Sequence, residues 1–159
     1  MNAGLIHMSK VTVHHILDSD LETVDRVEYL TIELAEKAGF RDSSLEQIVL
    51  AVHETIANAV IHGNRYSREK KVFVAISIIE NQFKITIADE GEGFDPQTIP
   101  ESSSLQELLR VHGRGVYLSR VLMDEYRVQR RATGGAEVTM IKYLQPQEVV
   151  GPQGRSSRA

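Results

Sequence analysis

Apolar positions recur with two different periods along this chain, and each change of period marks an element boundary. In Lys10–Leu17, Val11, Val13 and His15 alternate with Thr12 and His14, the period of two expected of a half-buried strand. From Leu21 to Ala38, Leu21, Val24, Val27, Leu30, Leu34 and Ala38 take up helical spacing. Asp18–Asp20 provide a turn and a cap before that helix, and Gly39 stops it. Leu45–Asn64 is a second helix, with Asp42, Ser43 and Ser44 as candidate caps and Gly63-Asn64 at its end. At about 100° per residue, its Leu45, Ile48, Val52, Ile56 and Ala59 share one arc, flanked by Val49 and Val60. Lys71–Ile79 and Gln82–Ala88 alternate again and are joined by only Glu80-Asn81, which predicts an antiparallel hairpin. Leu105–Val111 is a short helix-like patch. Beyond it Gly113-Arg114-Gly115 reads as a glycine loop opening a helix through Val116, Leu118, Val121, Leu122 and Met123. Glu125–Arg131 and Ala136–Leu144 close the pattern as two strands about Thr133-Gly134-Gly135.

Strand, two helices, hairpin, loop, helix, hairpin is the order of an α+β protein: a two-layer α/β sandwich with helices on one face of a mixed sheet. Residues 10–144 form that single domain. Residues 1–9 are an N-terminal extension in which the internal Met8 suggests an expression remnant. Residues 145–159, rich in Pro, Gly and Ser, read as a flexible tail.

Composition narrows the classes. The 159 residues suit one domain with a proper core, and 42% hydrophobic with 25% charged content is ordinary for a globular protein. A net charge of -4 gives no footprint for nucleic acid. The small clusters Arg68/Lys70/Lys71 and Arg127/Arg130/Arg131 flank strands and read as solvated edges. Without cysteine there is neither a disulfide nor a thiolate metal site, and no apolar run approaches a membrane span, so a cytoplasmic protein is expected. His14 and His15, adjacent on a strand, point to opposite faces and do not make a joint metal site.

The chemistry gathers on the second helix. With Glu54 at zero on the wheel, Asn58 lies at roughly 40° and His62 at roughly 80°. A carboxylate and a carboxamide one turn apart therefore converge on the side away from the core arc. Such a pair alone also reads as a solvated face. Directly after the second hairpin strand comes Asp89-Glu90-Gly91-Glu92-Gly93-Phe94-Asp95, where two glycines let backbone approach a ligand and Asp89 presents an acceptor at a strand end. Alone it is an acidic turn. Gly113-Arg114-Gly115 at a helix start is a candidate phosphate cradle.

Taken in order, Glu54-x-x-x-Asn58, His62-Gly63-Asn64, Asp89-x-Gly91-x-Gly93 and Gly113-x-Gly115 resemble the three boxes of the Bergerat-type, histidine-kinase-like ATP-binding fold. The small size, the Asp89–Asp95 segment and the runs Leu122–Glu125 and Met140–Leu144 most resemble the anti-sigma-factor serine kinases of bacterial partner switching. The resemblance implies ATP and Mg²⁺ as cofactors, with Asn58 on the metal and Glu54 as general base toward an acceptor hydroxyl. It implies Asp89 on the adenine amino group with Gly91 and Gly93 beneath the base, and Gly113 and Gly115 as donors to phosphate. Arg114, like Arg110 and His112, reaches a phosphate or the protein substrate, or lies in solvent. As partners it implies a phosphorylated anti-sigma-factor antagonist and a sigma factor, and a homodimer through first strands, with no nucleic acid and no membrane. The alternatives are an ATP-binding adaptor without phosphotransfer and a histidine-kinase catalytic domain. No GxxxxGK[ST], HRD or DFG is present. Gly135-Ala136 stands where the family usually has Gly-Thr, so a hydroxyl expected beside the adenine-binding Asp is missing.

Overall fold

A computed structural model describes residues 10–92 and 105–146. The first strand, β1, is Val11–Asp18, one residue later than its alternation suggests. It runs antiparallel to β2, Lys71–Ile79, in a register from Val11 opposite Ile78 to Asp18 opposite Lys71. The Lys71 ammonium and the Asp18 carboxylate meet in the last pair. β3, Gln82–Ala88, pairs with β2 across the expected tight turn, where Glu80 adopts a φ of 53°.

β4, Glu125–Arg130, and β5, Ala136–Tyr143, complete a five-stranded sheet in the order β1-β2-β3-β5-β4. All four pairings are antiparallel, which corrects the mixed sheet expected. The crossover after β3 returns β4 in the direction of β3. Its hairpin partner β5 then inserts between them, so no two parallel strands become neighbours.

The helices lie on one sheet face. Val72, Val74, Ile76 and Ile78 of β2, Phe83, Ile85 and Ile87 of β3, and Met140 of β5 point into that layer and are buried. The opposite face carries Thr86 and Thr139, whose hydroxyls lie 3.2 Å apart.

α1, Leu21–Lys37, starts as its cap residues suggest: Asp20 Oδ1 accepts from Thr23 N at 2.9 Å. It ends before Gly39, whose φ of 103° turns the chain. Phe40 then packs edge-on against Phe83, with ring centroids 6.3 Å apart.

α2 is Asp42–Asn58, and its entry differs from expectation. Arg41 is the N-cap and gives no side-chain bond to the helix. Its guanidinium is drawn back onto the carbonyls of Glu36 and Phe40, both at 2.6 Å, and Asp42 makes the turn with a φ of 49°. Ser44, expected as a cap, lies in the first turn with its hydroxyl on Arg41 O. α2 packs between α1 and a third helix. The buried arc is therefore wider than the wheel suggests on the side of Ala51 and Thr55, whereas Leu45 and Val49 remain partly exposed.

The last part of the predicted second helix is a π-helical turn, Ala59–Gly63. Asn64 N donates to Ala59 O, five residues back, at 2.8 Å. Asn64 itself keeps a right-handed φ of -81°, and it is Arg65 and Tyr66 that turn left-handed.

α3 is a single helix, Leu105–Leu122, and this corrects the short patch and glycine loop expected there. Glycine in a helix interior costs about 1 kcal/mol relative to alanine but does not forbid the helix. The chain thus passes through Gly113 and Gly115 without a break. Gly93 and the rest of 93–104, the N-terminal extension and the tail from 147 onward lie outside the described residues.

Candidate functional site

Glu54 and Asn58 are both half-buried on α2, one turn apart, on the side where α3 crosses. The contact point is Gly115. A side chain begun there would meet Glu54 Oε2 at 2.8 Å and Asn58 Nδ2 at 3.2 Å, so glycine lets α3 come this close without displacing either side chain. Two buried hydroxyls hold that approach. Thr55 Oγ1 donates to Ala51 O at 2.8 Å and lies 3.2 Å from Ser119 Oγ. The Ser119 hydroxyl in turn sits 3.1 Å from Ala51 O and 3.0 Å from Gly115 O, so α3 is tied to α2 within one turn of the glycine.

The second half of the site lies where the π-turn faces the end of β3. Asp89 is 6% exposed, and its Oδ1 accepts from Gly91 N at 2.9 Å and Ala136 N at 3.2 Å. Its backbone is fixed too: Asp89 N donates to Ala136 O at 3.0 Å, and Arg131 Nη1 donates to Asp89 O at 2.8 Å. Arg131 also lies over the Phe73 ring, 4.7 Å from its centroid. Oδ2 has no hydrogen-bond partner among the described residues. Burial raises the Asp89 carboxyl above its ordinary 3.8, partly offset by the two amide donors and the charges of Arg131 and Lys70.

Three glycines crowd this carboxylate. A Cβ on Gly63 would lie 2.5 Å from Asp89 Oδ2, one on Gly91 2.1 Å from Gly63 O, and one on Gly135 2.0 Å from Asp89 O. Gly135 also needs its φ of 89°. Ala136, which lacks the hydroxyl usual at this place in the resembled family, contributes its backbone N–H to Asp89 instead.

The predicted residues thus fall into two groups, Glu54, Asn58 and Gly115 on one side and Asp89 and Gly91 on the other, linked by the π-turn. Gly113 is inside α3, where amides are taken up by the helix. Arg114 is exposed on α3 and forms no ion pair among the described residues, and His62 is swung out to solvent. Gly93 lies outside the described residues. Asn64, Thr55, Ser119 and Arg131 escaped the sequence reading; a polar residue in an apolar run was the only signal for Thr55 and Ser119, and Asn64 looked like an ordinary helix stop.

Among the described residues no group of three or more His, Asp or Glu could hold a metal ion, and no helix is long and apolar enough to cross a membrane.

Comparison with known proteins places the chain in a family. The family model described as the histidine kinase-like ATPase domain matches residues 17–142. The chain is 32% identical over 122 residues to the serine-protein kinase RsbW of Oceanobacillus iheyensis, covering 73% of this chain and 76% of the relative. Against the Bacillus subtilis RsbW it is 31% identical over 122 residues, covering 73% of this chain and 75% of that protein. It is also similar in fold to a crystal structure of the RsbU and RsbW domains of a Mycobacterium tuberculosis protein. There the TM-score is 0.60 at 20% identity, with 84% of this chain and 32% of that one covered.

Proposed function

This chain belongs to the histidine kinase-like ATPase family, and we propose that it is an ATP-dependent serine/threonine protein kinase of the RsbW type, acting in a partner switch. The observation that carries the reading is the pairing of the two groups. A carboxylate at the end of β3, Asp89, lies against Gly63 of the π-turn, and a carboxylate–carboxamide pair on the α2 helix that leads into that turn, Glu54 and Asn58, lies against Gly115 of α3.

Asp89 Oδ2 accepts the adenine amino group, and the close packing of Gly63, Gly91 and Gly135 around Asp89 holds that carboxylate in place. Asn58 is the residue that would hold Mg²⁺. The donor set fits an ion that keeps several waters and phosphate oxygens and takes few ligands from the protein. That ion supplies positive charge to the phosphates when bound. Glu54 takes the proton of the acceptor hydroxyl as the γ-phosphoryl group passes to its oxygen, which is general-base work at hydrogen-bond reach. Gly113, Arg114 and Gly115 face the phosphates once the first turns of α3 open, since amides inside an intact helix have no free donor.

The acceptor is a small anti-sigma-factor antagonist, and the second partner is a sigma factor held by the unengaged kinase; both follow from the family and fit a cytoplasmic protein. β1, at one end of the sheet with no strand beyond it among the described residues, is the surface through which two copies pair. An adaptor that binds ATP without transferring phosphate is not favoured, because it has no use for a carboxylate beside Asn58.

Incubation with γ-labelled ATP, Mg²⁺ and a purified antagonist tests the reading. Glu54→Gln is expected to bind ATP as wild type does and to lose transfer by about 10²-fold or more. Transfer by Glu54→Gln at the wild-type rate would remove Glu54 from the chemistry.

A further inference from the structure

The site as described gives no part to Asn64, a side chain only 1% exposed that lies against the base-recognising end. We propose that Asn64 is a positioning residue for adenine recognition. Its carboxamide ties the π-turn to both β2 and the segment after Asp89, and so sets the preference for a 6-amino over a 6-oxo purine nucleotide. The proposal rests on the reading that Asp89 accepts the adenine amino group.

Asn64 Nδ2 donates to Lys71 O at 2.9 Å, and Asn64 Oδ1 accepts from Glu90 N at 2.9 Å. One partner is a carbonyl and the other an amide, so the orientation of the carboxamide is fixed by chemistry. The same two segments are joined a second time, by Lys71 N donating to Glu90 Oε2 at 2.6 Å. Lys71 is therefore gripped at both backbone groups, and Glu90 at its amide and its carboxylate.

Glu90 stands between Asp89 and Gly91, and Gly91 N is one of the two donors that hold Asp89 Oδ1. On the other side of Asn64, Gly63 touches both partners: its Cα faces Asp89 Oδ2 and its carbonyl faces Gly91. Asn64 thus fixes the backbone on which each face of the Asp89 carboxylate rests. Without its carboxamide, Lys71 O and Glu90 N lose buried partners, and Glu90–Gly91 is free to move away from Gly63. Oδ1 then loses its nearer donor and Oδ2 loses its aim.

No other side chain of this size does the same work. An aspartate keeps the acceptor for Glu90 N but faces Lys71 O with a second acceptor. A leucine leaves both groups unpaired in a part-buried place.

The test is titration of the full chain with Mg-ATP and with Mg-ITP, which shares the ribose and triphosphate and carries a 6-oxo group. Wild type prefers ATP, and Asp89→Asn, which offers a donor in place of an acceptor, loses that preference. Asn64→Ala is expected to weaken ATP binding by about tenfold, the scale of a hydrogen bond to a charged group, and to leave ITP within about twofold. Asn64→Asp retains more of the ATP preference than Asn64→Ala, because it keeps the bond to Glu90. A purely structural role would weaken both nucleotides in equal proportion, and that result overturns the proposal. If Asn64→Ala does not fold, Asn64→Asp decides alone: a narrowed ATP-to-ITP ratio supports the proposal, and an unchanged ratio in a folded protein overturns it. If Asp89→Asn leaves the preference intact, the adenine assignment itself is wrong, and the role given to Asn64 falls with it.

Discussion

Replacing Gly115 by alanine separates the two things a glycine at that position does. Gly115 lies within the helix Leu105–Leu122, where alanine is favoured over glycine by roughly 1 kcal/mol. Against that gain, the added methyl would start 2.8 Å from Glu54 Oε2 and 3.2 Å from Asn58 Nδ2. Ordinary contact begins near 3.4 Å, so the carboxylate must withdraw by roughly 0.6 Å and the amide by roughly 0.2 Å. Oε2 is the far end of a flexible side chain, and turning it off its rotamer costs about 0.5–1.5 kcal/mol. The two terms nearly cancel, and the variant should melt close to wild type. Catalysis has no such margin. A displacement of about 1 Å in a positioned group can cost about 10²-fold, so the shift at Glu54 should slow phosphoryl transfer by roughly ten- to a hundredfold. The assay is transfer from γ-labelled ATP beside a melting curve and an ATP titration. ATP affinity, to which Asp89 contributes from the other side of the site, should change less than the rate. A Gly115→Ala protein with both the stability and the transfer rate of wild type would refute the assignment of Glu54, Asn58 and Gly115 to one reacting centre.

The Asp89 carboxyl, held above 3.8 by burial, gives a pH signature. Between its unfolded and folded values the folded protein keeps a proton that the unfolded chain has released. Stability without nucleotide therefore falls as pH rises through that window and levels off above it. ATP binding runs the other way: it should weaken as pH falls through the raised value, because the charged carboxylate is the better acceptor, while Asp89→Asn should show a flat profile in the same titration. Gly135→Ala combines a φ of 89° with a Cβ 2.0 Å from Asp89 O and should lose about 3 kcal/mol or more in urea unfolding. Gly134→Ala, at a φ of 95° but with no neighbour nearer than 3.8 Å, should lose only about 1–2 kcal/mol, and equal losses would deny the contact at Asp89. Thr55→Val removes the bonds to Ala51 O and Ser119 while keeping the shape, and should cost about 1 kcal/mol by denaturant melting.

The strands were legible because each alternates cleanly, and β2 and β3 begin and end where their patterns do. Pairing between distant strands leaves no mark on local pattern, which is why the insertion of β5 between β3 and β4 was not foreseen. Of the candidate site, Glu54, Asn58, Asp89 and Gly91 were readable as residue types at fixed spacing. The glycines 113 and 115 were visible but placed in a loop: a Gly-x-Gly suggests one, and only the position of α2 shows that a glycine at 115 lets two helices approach without displacing Glu54. The π-turn has no sequence signal of its own, since it adds one residue to a turn without altering composition. Asn64 was hidden for the same reason. Placed after Gly63, it looked like a residue tolerant of left-handed geometry, yet its backbone is right-handed and its side chain is what matters.

Glu54, Asn58 and Gly63 belong to one unbroken stretch of backbone, helix passing into π-turn. The distance between the Glu54–Asn58 pair and the Gly63 that abuts Asp89 is therefore set by a covalent ruler. Two separately mobile lobes would have to be brought into register by each ligand. Here that spacing is built at folding. Insertion or deletion of a residue between Asn58 and Gly63 would change the ruler's length, leaving either end able to grip its own part of the ligand but not both at once.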